Sequence, residues 1–437
     1  MNDLSAALRD QAQALMKRYG VPGVAVGIWN NGEESLAGFG VTSVEHPLPV
    51  DADTLFQIGS TSKTATATLA MILAEEGRLD LDQPIRRYWP EFRLQDAAAT
   101  QEATLRHCFT HTGGWLGDYF DDTGDGADAL ARYVERMAKL PQLTPVGQVW
   151  SYNNAGFSLA GRVIELAAGC PFEQLMVERL LAPLNMDHSF YFAKEVITHG
   201  FAVGHNVDPE RGAQVARPWA LSRSTHPAGG IISSVRDQMR YARFHLGDGT
   251  APNGRRILSE QGLRVMQQPH AEAGSMADAV GISWLLASFG GERTVAHGGA
   301  TNGQLSAFVL APARNFAVTV LTNANRGREL HCDLGNLVLE KHLGLVQPEP
   351  VLLQPSAAAL AEYAGRYEAR LSHLEVTPVK QGLRIQTHPQ GGFPLPDSPP
   401  GPTLPPSTAA FVEQGRLLFI DGPAHGAREG RVMRILI

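Results

Sequence analysis

Ser60 and Lys63 stand three residues apart at the head of an apolar helical run, QIGSTSKTATATLAMILAEEG. Positions i and i+3 of a helix share a face, so the lysine amine reaches the serine hydroxyl within one turn. That spacing puts a base beside a nucleophile. Lysine is also scarce: the chain has six, at 17, 63, 139, 194, 341 and 380, and takes most of its positive charge from arginine. Arginine at 63 would supply charge but keep its proton, whereas a desolvated lysine gives its proton up. No other Ser-x-x-Lys occurs in the chain. The same residues also suit a simple polar helix start.

Two further groups follow in order. Tyr152-Asn153-Asn154 is the only Tyr-x-Asn among nine tyrosines, and it precedes the helical run AGFSLAGRVIELAAG, where side chains can project into a cleft. His297-Gly298-Gly299-Ala300 follows the strand-like RTVA, and its glycines let a substrate approach the backbone. His-x-Gly recurs at His111, His245 and His342, but only His297 ends a predicted strand. Read alone, Tyr152 also fits a half-buried aromatic with a satisfied hydroxyl, and Asn154 a helix N-cap. His107 and His111, four apart, lack the glutamate of His-Glu-x-x-His, so a packed helix end near the cleft is favoured over a metal site. Trp115, Phe120 and Trp150 are candidate pocket aromatics, although core packing explains isolated aromatics more often.

Ser-x-x-Lys, then Tyr-x-Asn, then His-x-Gly resembles the serine β-lactamase and penicillin-binding protein superfamily. The similarity is to its class C-like branch, with D-aminopeptidases, D,D-carboxypeptidases and family VIII esterases, and covers residues 10 to 345, including VPGVAVGIW and HCFTHTGG. The resemblance implies Ser60 as acylated nucleophile, Lys63 and Tyr152 sharing proton transfer, and Asn154 orienting Lys63 and binding a substrate carbonyl. It further implies an oxyanion hole from the amides of Ser60 and Ala300, beside His297, Gly298 and Gly299, with no metal and no cofactor. The physics agrees, since a serine needs a base and a developing oxyanion needs aimed donors.

The third motif departs from the Lys-Thr-Gly usual in β-lactamases. Histidine near its ordinary pKa is largely neutral at pH 7, so the fixed cation suited to a substrate carboxylate is missing. The expectation is a serine hydrolase of ester, amide or small-peptide bonds, acting on a small molecule or short peptide. The alternatives are a β-lactamase or D,D-carboxypeptidase, or a slowly acylating receptor. An α/β-hydrolase is disfavoured, because Ser60 lies in IGSTS and not in Gly-x-Ser-x-Gly.

These groups require elements to position them. After an N-terminal helix, VAVGIW and SLAGFG read as strands joined by a turn at Asn30, Asn31 and Gly32. RTVAHGG, GQLSAFVLAP and FAVTVLTN are three more strands, closed by the helix ELHCDLGNLVLEKHL. Strands from both ends of residues 1–345 then pair in one antiparallel sheet with a helical region inserted between them, an α+β unit that the resemblance implies is β-lactamase/transpeptidase-like. A proline-bearing linker over 346–356 leads to a C-terminal domain over 357–437. There, short β runs from YAGRYEA to RVMRILI predict a small antiparallel barrel, lipocalin-like, or a sandwich.

Composition narrows the partners. A net charge of -7 with no basic cluster argues against nucleic acid. Cys108, Cys170 and Cys332 are too few and scattered for a disulfide framework. No signal peptide pattern opens the chain and no stretch nears the roughly 20 apolar residues of a transmembrane segment. The expected location is cytoplasmic.

Overall fold

The computed structural model describes residues 6–422 and 428–429, apart from 209, 220, 275, 396, 402, 404, 414 and 415. Strands β1 (Gly23–Asn30) and β2 (Glu33–Gly40) form a tight hairpin whose turn places Asn31 and Gly32 at positive φ, the backbone a two-residue hairpin loop demands. Five later strands complete the sheet: β3 (Ala279–Val280), β4 (Leu285–Phe289), β5 (Glu292–Ala300), β6 (Leu305–Ala311) and β7 (Phe316–Thr322). The order is β2-β1-β7-β6-β5-β4-β3. The N-terminal hairpin therefore docks on the last strand, with Val24 opposite Thr322 and Asn30 opposite Phe316. The pairing expected between the two ends of the region is what the chain forms.

Five helices frame the sheet and the site: α1 (Ala6–Tyr19), α2 (Ser62–Glu75), α3 (Asn154–Ala168), α4 (Val235–Leu246) and α5 (Gly327–Leu343). Helix α1 buries Leu8, Ala12 and Leu15, one helical stripe, in a core shared with Val24, Val26 and Ile28 of β1, Val318 and Val320 of β7, and Leu330, Leu334 and Val338 of α5. Helix α4 covers the other face, contacting β1 and β7. Covered on both sides, β7 is buried at every position, which is why FAVTVLT reads as a continuous run and not as alternation. Among the described residues no helix is long and apolar enough to cross a membrane.

The chain divides into two compact units, residues 1–271 with 280–347, and residues 272–279 with 348–437. The second unit holds an antiparallel meander of β8 (Gly365–Glu368), β9 (Ser372–Val379), β10 (Gly382–Pro389), β11 (Ser407–Glu413), β12 (Arg416–Phe419) and β13 (Arg428–Glu429), in sequence order. Its core gathers Leu360, Val376, Leu383, Ala409, Phe411, Leu417 and Phe419. Arg416 also reaches Asp278, a contact that linear reading along the chain does not anticipate. The run RVMRILI lies outside the described residues.

Asn323, fully buried just past β7, fastens the first unit's seam. Its Oδ1 accepts from Gly23 N at 2.7 Å, and its Nδ2 donates to Val41 O and Thr42 O at 3.0 and 3.1 Å. Truncation would strand three backbone groups in the interior, each costly without a partner. Asn323→Ala is expected to lower unfolding stability by about 2 to 4 kcal/mol, read from urea denaturation. A loss below 1 kcal/mol would mean that water replaces these bonds.

Candidate active site

Ser60 sits in a 3-10 turn, Gly59–Thr61, that runs directly into α2 at Ser62. The nucleophile candidate is thus just ahead of the α-helix and not on it, yet the one-turn reach to Lys63 survives. Gly59 has φ +50, and a Cβ there would stand 2.7 Å from Ala300 N. A Cβ on Gly299 would stand 2.8 Å from Ser60 N and collide with Ile58 O. The Ser60 turn and the end of β5 therefore meet backbone to backbone, a closeness only glycine permits on both sides. Side chains staple the seam: Thr61 Oγ1 lies 2.8 Å from Ser306 Oγ, which donates to Ile58 O at 2.7 Å, and Gln57 N donates to Gln304 Oε1 at 3.1 Å. The seam sets Ala300 N beside Gly59 and Ser60 N beside Gly299.

Lys63 is wholly buried on the first turn of α2. Its Nζ lies 3.0 Å from Ser60 Oγ, 2.7 Å from Asn154 Oδ1 and 2.6 Å from Ala228 O. Three acceptors match the three protons of an ammonium. A neutral amine keeps two of those bonds, to Asn154 and Ala228, and turns its lone pair toward the serine hydroxyl. Burial drives the Lys63 pKa down from 10.5 to about 7, with the negative charge of Asp118 opposing. The lowered pKa makes the neutral, basic amine accessible near neutrality.

Helix α3 begins at Asn154, and its N-cap is Asn153, whose side chain accepts from Gly156 N at 2.8 Å. The N-cap role that Asn154 also suited belongs to its neighbour, which releases Asn154 to bridge Lys63 and Asp118 Oδ1, the latter at 3.2 Å. Tyr152 precedes the cap, with Lys63 Nζ 5.1 Å from its ring centroid. Burial raises the Tyr152 pKa, against a lowering hydrogen bond with Ser60. The phenol stays protonated at neutral pH.

His111 was not foreseen beyond a packed helix end. It has φ +57 and stacks on Tyr152 at 4.4 Å, and its Nδ1 accepts from Asn153 N at 2.9 Å. His107 instead caps its own short helix through Thr104, so the two histidines do not converge. Trp150 packs against His111 and Tyr152, and Trp115 is buried with its carbonyl accepting from Asn153 Nδ2 at 2.8 Å. His297 is buried near Tyr152, with ring centroids 6.2 Å apart, and its Nδ1 lies 2.6 Å from Gly298 O. Burial, then Lys63, pushes His297 down to about 3, and burial likewise lowers His111. Both imidazoles are neutral. Asp118 is fixed because its loop packs on the Tyr152 segment: Ala155 N donates to Gly117 O at 3.1 Å, and a Cβ on Gly117 would press on Tyr152 O. No sequence pattern marks Asp118 or the Ala228 carbonyl.

A cavity of about 900 Å³ lies beside this arrangement, with Glu173, Tyr191, Phe192, Trp219, Arg223 and His226 on its wall. Ser60, Lys63 and Tyr152 do not line it. Burial alone would raise the Glu173 carboxyl, but hydrogen bonds from His226 and Arg223 hold it down to about 2. That trio braces His226–Gly229, the short helix that offers Ala228 O to Lys63.

The beta-lactamase family model matches residues 8–342. Penicillin-binding protein 4 of Amycolatopsis lactamdurans is 32% identical over 82% of this chain and 96% of its own length. The chain belongs to the beta-lactamase family. Among solved structures, SurE is 26% identical with a TM-score of 0.74, covering 98% of this chain and 94% of that one, and a second SurE structure contains D-Leu. Two class C beta-lactamase structures, one of them a mutant, at 21% identity and TM-scores of 0.65 and 0.64, share the fold over 77% of this chain and 98 and 96% of their own. Membership makes the protein a serine hydrolase in the general sense, and an acyl-enzyme is typical of the family.

Two measurements test the buried amine. If neutral Lys63 is the competent form, kcat/KM rises with pH through about 7 and then levels. The stability sign follows from the same shift. Between about 7 and 10.5 the unfolded chain holds a proton the native one lacks, so this group's destabilising effect is full below 7 and fades as pH rises to 10.5. Lys63→Met should therefore abolish turnover yet gain stability over the parent at pH 6 more than at pH 9.5, by urea unfolding. An equal difference at both pH values would refute a depressed Lys63 pKa.

Proposed function

We propose that the protein forms an acyl-enzyme at Ser60 and hydrolyses an amide, small-peptide or ester bond. The observation that carries this reading is the 3.0 Å approach of a buried, weakly basic amine, Lys63 Nζ, to Ser60 Oγ. In the first step neutral Lys63 takes the Ser60 proton as Oγ attacks the carbonyl. The amides of Ser60 and Ala300 receive the developing oxyanion. Tyr152, protonated and bonded to Ser60, then supplies a proton to the leaving group, regaining one by way of Lys63. Water repeats the sequence on the acyl-enzyme and restores Ser60.

The charge of the site supports a substrate class. His111 and His297 are neutral, Lys63 is only partly charged, and Asp118 is the carboxylate that acts on both Lys63 and Tyr152. Such a site favours a substrate with an ammonium close to the scissile bond over one with a carboxylate. The similarity to SurE, which has been solved with D-Leu, supports D-amino acid amides and esters as the first substrates to try. The relative named penicillin-binding protein 4 favours a second reading, a D,D-carboxypeptidase or β-lactamase.

A panel of p-nitrophenyl esters, D- and L-amino acid amides and a chromogenic cephalosporin separates these readings. Ser60→Ala should reduce turnover about 10⁴-fold or more and lose the adduct seen by intact mass with a slow acylating ligand. An adduct surviving in Ser60→Ala defeats the assignment, and cephalosporin as the best substrate promotes the second reading. Asp118→Asn should cut kcat/KM for an amino acid amide about five- to tenfold relative to its N-acetyl counterpart. An unchanged ratio would remove Asp118 from substrate selection.

A further inference from the structure

The C-terminal unit carries a side-chain cluster that the serine chemistry does not use. On the β9–β10 hairpin His373 and His388 are direct register partners, and Glu375 stands two residues along β9, on the same face. The two imidazoles stack with centroids 4.5 Å apart and 11° between planes. One ligand atom from each of the three residues lies within 4.8 Å of the other two. His388 Nε2 is shielded from solvent without a hydrogen-bond partner, 3.5 Å from Glu375 Oε2. His373 Nδ1 is 3.4 Å from the Gln390 amide, which also reaches Glu368.

Two imidazoles and one carboxylate converge here with His388 Nε2 shielded and without a hydrogen-bond partner, a donor set suited to a cation. We infer that His373, Glu375 and His388 bind a late first-row divalent cation of the Zn²⁺ class, with water completing the shell. Imidazole nitrogens select Zn²⁺, Cu²⁺, Ni²⁺ or Co²⁺ over Mg²⁺ and Ca²⁺, which require oxygen cages. Bonds of about 2.0 to 2.2 Å set tetrahedral ligands roughly 3.3 to 3.6 Å apart, so the cluster needs to contract by about an ångström. Glu375 is exposed and the histidines half-buried, which leaves side-chain torsions to supply that movement.

The position indicates what the ion does. His373 and His388 lie near the open end of the hairpin, far from its turn between Val379 and Gly382. A cation held there closes the loop of residues 374–387 and opposes fraying of the two strands. The unit that binds it carries neither Ser60 nor Lys63 nor Tyr152, and the role assigned to the ion is to hold the hairpin.

The test uses the full-length protein, free of any affinity tag and stripped with EDTA, in equilibrium dialysis against Zn²⁺. One equivalent is expected to bind, and His373→Ala and His388→Asn should each lose it, with Glu375→Gln weakening it. Melting temperature in EDTA and acylation at Ser60 should match the parent, which shows that the variants are folded. Co²⁺ in place of Zn²⁺ should give a visible absorption band that the same substitutions erase. No bound equivalent in the parent, retention of the equivalent in a folded His373→Ala/His388→Asn double variant, or displacement by equimolar Mg²⁺ or Ca²⁺ would each overturn the site.

Discussion

An amine that would be charged in water sits in the interior of this protein with no carboxylate among the described residues bonded to it. Lys63 has three oxygen partners, and two are neutral supports from other parts of the chain, the Asn154 amide and the Ala228 carbonyl. A carboxylate in either place would hold the ammonium protonated; neutral dipoles satisfy its hydrogens while leaving its basicity to burial. Much of the surrounding structure follows from that requirement. Asn153 takes the capping role so that Asn154 can face the amine, and the Glu173, Arg223 and His226 trio anchors the segment that carries Ala228.

The other requirement is a seam. One wall of the site comes from the helical region, the other from the edge of β5, and the two backbones touch where Gly59 faces Ala300 and Gly299 faces Ser60. Hydroxyls of Thr61 and Ser306 fix the contact without bulk. The two segments are thereby set against each other by main chain on both sides, which gives the seam a rigidity that long side chains would not.

The elements near the motifs were legible in the sequence because their signals are local. Continuous apolar runs gave β1 and β7, the turn at Asn31 and Gly32 gave the hairpin, and helical spacing gave α2 and α3. Strand β4 escaped because Leu285–Phe289 is short and bounded by no strong turn pattern on its N-terminal side. Within the site, Ser60, Lys63, Tyr152 and Asn154 were marked by residue type and order. Asp118, Ala228 and the stacking of His111 were not, since a carbonyl bears no sequence signature and the loop of Asp118 is held by contacts to residues more than thirty positions away. The grouping of residues 272–279 with the C-terminal unit likewise depends on tertiary contact alone.

The pairing of Val24 with Thr322 also bears on how the protein is made. As the chain leaves the ribosome, Ser60 and Lys63 emerge long before the strand that must lie against them. The N-terminal hairpin waits without its sheet neighbour until β7 arrives, a high contact order that slows folding and leaves strand edges open for chaperones. Reactivity is consequently a property of the finished domain. A fragment released early carries the serine and the lysine but not the interior that lowers the Lys63 pKa and holds the amine against the serine hydroxyl.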